Sequence, residues 1–154
     1  MAQPVIGNQY IIDFRGLLMK YMNLNIVGWK TLKYINNFYN ITLVENAERV
    51  NYCLRKIDNH PFRNLINNLR DKNKKESQIP FIIELRNFVK KYKHLDIGGM
   101  KTLIDIVTCY DSMTPDNIII LNQCMEGLDN YSLNIYNNSA DINIALHGNT
   151  VYKI

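Results

Sequence analysis

The chain has 154 residues, 47% of them apolar, which is the size of one ordinary domain and crowded for two independently stable ones. A net charge of +4 is too small to imply nucleic acid, although Lys72, Lys74 and Lys75 form one basic run and Lys90, Lys91 and Lys93 another. Cys53, Cys109 and Cys124 are an odd, widely spaced set in apolar contexts, which argues against a disulfide framework or a zinc site and for buried thiols.

Met1 to Gln9 lacks a basic start followed by an apolar run, and no window of 18 apolar residues occurs. A cytoplasmic or nuclear address is expected, with no membrane association. The sequons at Asn40, Asn130 and Asn137 then reflect only the abundance of Asn. From Ile11, the residues Ile12, Leu17, Leu18, Tyr21 and Met22 recur near helical spacing and predict a first helix, which Asn23 and Asn25 interrupt. Val27 to Phe38 predicts a second helix, with Leu32, Ile35 and Phe38 on one stripe, Trp29 and Tyr34 on its flanks, and an end at Asn36 to Asn40. Thr42 and Glu45 have capping-box spacing and place a third helix at Leu43 to about Leu54.

Pro61 suits a helix start, and Phe62, Leu65, Ile66 and Leu69 supply the buried side of a fourth helix. Asp71 to Gln78 is a loop by composition, and Phe81 to Tyr92 a fifth helix. Gly98-Gly99 breaks the chain before a sixth, Met100 to Tyr110. Thr114-Pro115-Asp116 starts a seventh that is expected to stop at Gly127. Beyond it Leu133, Ile135, Ile142, Ile144, Val151 and Ile154 alternate or nearly alternate with polar residues and predict short strands. The expected fold is therefore mainly α: a compact bundle of six to seven helices with a short C-terminal β-hairpin or strand-like tail. Its divisions are an N-terminal extension (1–12), a bundle (13–111), an additional helix (112–130) and the tail (131–154).

No catalytic, cofactor-binding or metal-ligating set is legible. His60 precedes a proline, His94 ends a basic helix and His147 sits in a turn sequence, none flanked by a motif for nucleophilic or acid–base chemistry. Gly98-Gly99 lacks the companion glycines of a phosphate loop. The chain is expected to be no enzyme and to bind no cofactor.

Four segments in order resemble a death-effector domain over residues 13–111. Phe14-Arg15-Gly16-Leu17-Leu18 is similar to the family's first helix and Leu32-Lys33-Tyr34-Ile35 to its second. Phe62-x-x-Leu65-Ile66 resembles the fourth, and His94-Leu95-Asp96-Ile97 stands where the family has Arg-x-Asp-Leu. The histidine replaces the family's arginine, and Gly28 occupies the position of its helix-two acid, so the family's surface charge triad is expected to be broken. Gly28-Trp29-Lys30-x-Leu32 is also similar to the second helix of death domains.

The resemblance implies homotypic assembly in apoptotic or innate-immune signalling, as an adaptor or decoy for a death-fold protein (an initiator caspase or its adaptor) or for itself. Trp29, Leu32, Tyr34, His94 and Asp96 are then the expected contact residues, with Tyr34 as aromatic anchor. In the tail, Ile142-Asn143-Ile144-Ala145 followed by Gly148-Asn149-Thr150-Val151-Tyr152 resembles the amyloid motif of receptor-interacting kinases, making Ile142, Ile144 and Val151 an expected oligomerisation element. A packed hairpin is the competing reading of that segment. Two other functions remain open: a structural or oligomerising protein, viral or cellular, whose tail strands pair between subunits, and, less favoured, a basic nucleic-acid-binding module.

Overall fold

A computed structural model of the protein describes residues 8–40, 47–69 and 76–138. Seven α-helices form there: α1 (Asn8–Lys20), α2 (Trp29–Asn40), α3 (Ala47–Asp58), α4 (Phe62–Leu69), α5 (Pro80–Tyr92), α6 (Met100–Asp111) and α7 (Ile118–Asn138), the last entered through a 3₁₀ turn at Pro115–Asn117. The described residues are mainly helical, as the apolar spacing predicts. Among them there is no strand and no helix long and apolar enough to cross a membrane. The core runs through all seven helices, from Tyr10 and Phe14 of α1 to Leu128 and Tyr136 of α7.

Local chemistry sets most helix bounds. Pro80 sits at the start of α5, where its missing N–H costs nothing, and Phe81, Ile82, Leu85, Phe88 and Val89 follow on the buried side. In α4, Phe62 and Ile66 are buried one turn apart, while Leu65 is 45% exposed rather than inward-facing. The second helix ends within its run of asparagines, as expected: α2 passes Asn36 and Asn37 and stops at Asn40, because Phe38 and Tyr39 are still buried. The Thr42 and Glu45 capping pair lies outside the described residues.

The largest correction concerns α7. It passes through Gly127 and ends at Asn138, so residues 131–138 are helix rather than strand, and the division expected between 130 and 131 falls inside one helix. Leu121, Met125, Leu128, Ser132 and Tyr136 make one buried stripe at helical spacing; Leu133 and Ile135 flank it, half-buried. The remaining tail, with Ile142, Ile144 and Val151, lies outside the described residues. A Cβ on Gly127 would meet nothing within 4 Å. Gly127→Ala should therefore stabilise the protein by about 0.5–1 kcal/mol, through helix propensity alone. A thermal melt followed by circular dichroism should show a small rise in Tm; a fall would mean that Gly127 is packed.

The helices also reveal that the chain repeats itself. Residues 8–67 align with residues 79–138 without a gap, at an offset of 71, and 19 of the 60 pairs are identical. In this register α1 corresponds to α5, α2 to α6, and α3 with α4 to the single helix α7. Identity is densest at one helix start, where Leu24-x-Ile26-x-Gly28-x-Lys30-Thr31-Leu32 matches Leu95-x-Ile97-x-Gly99-x-Lys101-Thr102-Leu103. The difference between α3–α4 and α7 has a simple cause. Pro61 offers no N–H and disfavours helical backbone at His60, so the helix breaks there. Its equivalent, Ser132, keeps its N–H and donates its hydroxyl to Leu128 O at 2.8 Å within a continuous helix.

Candidate interaction surfaces

Two buried carboxylates, Asp58 and Asp129, each cap a helix in the other half. Gly28 turns into α2 with φ +93°, a left-handed conformation that glycine alone adopts without strain. Its N–H donates to Asp129 Oδ2 at 3.1 Å, and Thr31 donates to Asp129 Oδ1 from both its N–H (2.9 Å) and its hydroxyl (2.7 Å). Gly99 turns into α6 with φ +92°. Its N–H donates to Asp58 Oδ2 at 2.9 Å, and Thr102 N–H and Oγ1 donate to Asp58 Oδ1 at 2.9 and 2.7 Å. Helix caps are normally supplied by the residue next to the first turn. Here α7 caps α2 and α3 caps α6.

Further bonds follow the same exchange. Tyr39 Oη donates to Gly98 O at 2.8 Å, and its equivalent Tyr110 donates to Val27 O at 2.5 Å. Burial pushes both phenols upward, which keeps them protonated donors. Between α1 and α5, Lys20 pairs with Glu84 at 3.0 Å and Lys91 with Asp13 at 3.3 Å. Tyr21 donates to Glu84, as Tyr92 does to Asp13. The Tyr92 hydroxyl is the main influence holding the Asp13 carboxyl below its ordinary range. Asp13, Lys20, Glu84, Lys91 and Tyr92 line a furrow of about 600 Å³ between the two helices, with Leu17 and Phe88.

The residues expected to make contacts do not form one surface. Leu32 is completely buried in the core and is withdrawn as a contact residue. Tyr34 is half-buried, its ring stacked on Tyr136 of α7 at 5.0 Å, so it holds two helices of this chain together rather than standing free as an anchor. His94 is exposed, and the exposed Asp96 is engaged by Arg55 of α3 at 2.9 Å instead of by the histidine. An ion pair this exposed contributes about 1 kcal/mol or less. Gly28, read as the vacated acid position, serves the left-handed turn. Trp29 alone lines a surface recess, with its ring edge-on to Phe81 at 5.1 Å.

That recess lies between α1 and α2 and encloses about 220 Å³. Its apolar lining is Leu18, Met19, Met22 and Trp29, and its cations are Arg15 and Lys33. Met19 and Met22 are 63% and 67% exposed, unusually high for methionine. The thiols of Cys53, Cys109 and Cys124 are all buried and form no disulfide among the described residues, and burial pushes Cys109 up to about 12. His60 is half-buried between the rings of Phe62 and Tyr131, its Nδ1 accepting the Phe62 N–H at 3.2 Å; burial lowers its pKa.

The clasp residues Asp58, Asp129, Thr31 and Thr102 escape any reading of apolar periodicity because they are polar and buried. Their signal is the self-similarity at 71 residues, which brings Thr31 onto Thr102 and Asp58 onto Asp129. Comparison of the chain with protein-family models, curated proteins and solved structures gives no match.

Proposed function

We propose that the chain is a non-enzymatic protein-interaction module whose docking site is the recess between α1 and α2. One observation carries this reading: two flexible methionines, more than 60% exposed, stand beside a tryptophan in a concave surface with Arg15 and Lys33 on its lining. Exposed methionine adapts to the shape of an incoming apolar side chain, and tryptophan is among the residues that carry most interface energy. The occupant that fits is an amphipathic helix bringing one or two apolar side chains to Met19, Met22 and Trp29 and a carboxylate to Lys33. The resemblance of residues 13–111 to a death-effector domain supports a death-fold protein, an initiator caspase or its adaptor, as the source of that helix. An adaptor or decoy in apoptotic or innate-immune signalling follows from that partner.

The test is a titration of the full chain against death-effector partners by calorimetry. Met19→Glu with Met22→Glu should weaken binding at least tenfold, and Lys33→Glu should weaken it less, with helical signal and Tm unchanged because these side chains face solvent. Undiminished binding by the double variant would remove the recess from the account.

A further inference from the structure

We infer that the two halves of the chain are docking modules for one another, and that the surface joining them fits a second copy of the same 60-residue unit whether or not a covalent link is present. The proposal is independent of the recess between α1 and α2. It rests on two observations that need not have coincided. One is the ungapped repeat, whose 19 identities in 60 positions lie well above what shared Asn and Ile abundance would produce. The other is that a set of bonds crossing from one half to the other is returned by the equivalent residues in the opposite direction, although the pairs Arg55–Asp96 and Arg63–Asp105 are not.

Gly28 and Thr31 donate to Asp129, and Gly99 and Thr102 donate to Asp58. Tyr39 reaches Gly98, and Tyr110 reaches Val27. Lys20 pairs with Glu84, and Lys91 pairs with Asp13. The aromatic packing is exchanged too: Tyr21 meets Phe81 at 5.3 Å, and Tyr92 meets Tyr10 at 5.4 Å, both edge-on. Residue i of one unit touching j of the other, while j touches i, is the signature of an isologous, two-fold interface between identical subunits. A chain that had grown by adding unrelated helices would have no reason to show it.

Each half is also chemically incomplete alone. The amides opening α2 and α6 and the fully buried hydroxyls of Thr31 and Thr102 find their acceptor only in the opposite half. Separated, a unit would lose these bonds and turn its helix start and the apolar surface around it to water, which costs the burial that joining supplies. The kind of partner is thereby specified. It carries Gly-x-Lys-Thr-Leu at a helix start and an aspartate thirty residues after the glycine, as Gly28 with Asp58 and Gly99 with Asp129 do.

The test uses the full chain with a site-specific protease sequence inserted between Lys74 and Lys75, cut after folding. The two fragments should co-elute at the mass of the uncut protein and keep its helical signal. When the cut protein is mixed with a second cut preparation tagged on its N-terminal fragment, untagged C-terminal fragments should be recovered on the tag. Asp58→Asn and Asp129→Asn, each made in the cuttable chain, should each raise the dissociation constant of the fragments at least tenfold and to a similar extent. Fragments that part on cutting, halves that never exchange, or an effect confined to one aspartate would overturn the inference. So would loss of helical signal in the uncut insertion variant, because the union of the halves would then depend on a link of the native length.

Discussion

Asp58→Ala should destabilise the protein by about 3–5 kcal/mol, the range for breaking a buried charged network by removing one partner. Asp129→Ala should cost a similar amount. Each carboxylate accepts three bonds, and its removal strands two amides, and at Thr102 a hydroxyl, in places that water does not reach, while the Thr31 hydroxyl keeps Ser132 Oγ at 3.0 Å: Asp58 is 2% exposed, Asp129 9%, and Thr31 and Thr102 not at all. An ordinary cap lost from a surface helix costs only about 1 kcal/mol, because solvent replaces it. The loss would be a large share of the roughly 5–15 kcal/mol that holds a domain of this kind folded. Urea denaturation followed at the helical band should give midpoints lowered alike for the two variants with little change in slope. A loss below about 1 kcal/mol for either would mean that the clasp there is solvated.

Helix positions were largely legible in the sequence because apolar spacing and proline are read locally. Phe62 and Ile66, or Leu103, Ile106 and Val107, are buried where a helical stripe places them, and Pro80 opens α5. The course of α7 was not legible. Gly127 looks like a helix stop, yet it has open space around it and costs the helix only its propensity, while the buried positions after it include polar Asp129 and Ser132. With the stripe interrupted by polar residues, Leu133 and Ile135 give the impression of alternation. Only the tertiary partners of those residues, Gly28 and Thr31 for Asp129 and Thr31 for Ser132, show that they belong inside.

The contact residues were misjudged for a related reason. Leu32 and Tyr34 were read as exposed by resemblance to a death-effector domain, but here Leu32 is core and Tyr34 faces α7, a helix lying beyond the 13–111 stretch of the resemblance. Tyr34 therefore reports on how α7 lies across α2.

Gly98→Ala should cost about 3 kcal/mol, combining overpacking with the strain it places on buried hydrogen bonds. A Cβ at Gly98 would lie 2.6 Å from Asn51 O and 2.8 Å from Leu54 Cβ. The first is a backbone atom inside α3 and cannot swing aside, so α3 would have to withdraw from the start of α6. That movement opposes the bonds made by Tyr39 Oη to Gly98 O (2.8 Å) and by Gly98 N–H to Asn51 Oδ1 (3.0 Å). The equivalent of Gly98 is Val27, half-buried with a full side chain, and the equivalent of Asn51 is Asn122, which is exposed. The two halves thus differ at this point: α3 lies closer on the start of α6 than α7 does on the start of α2. Gly98→Val, which installs the residue of the other half, should be worse than Gly98→Ala, because two more methyl groups must enter the same space. If chemical denaturation showed Gly98→Val within about 1 kcal/mol of the parent, the close approach of α3 would be wrong and the two clasps would be alike.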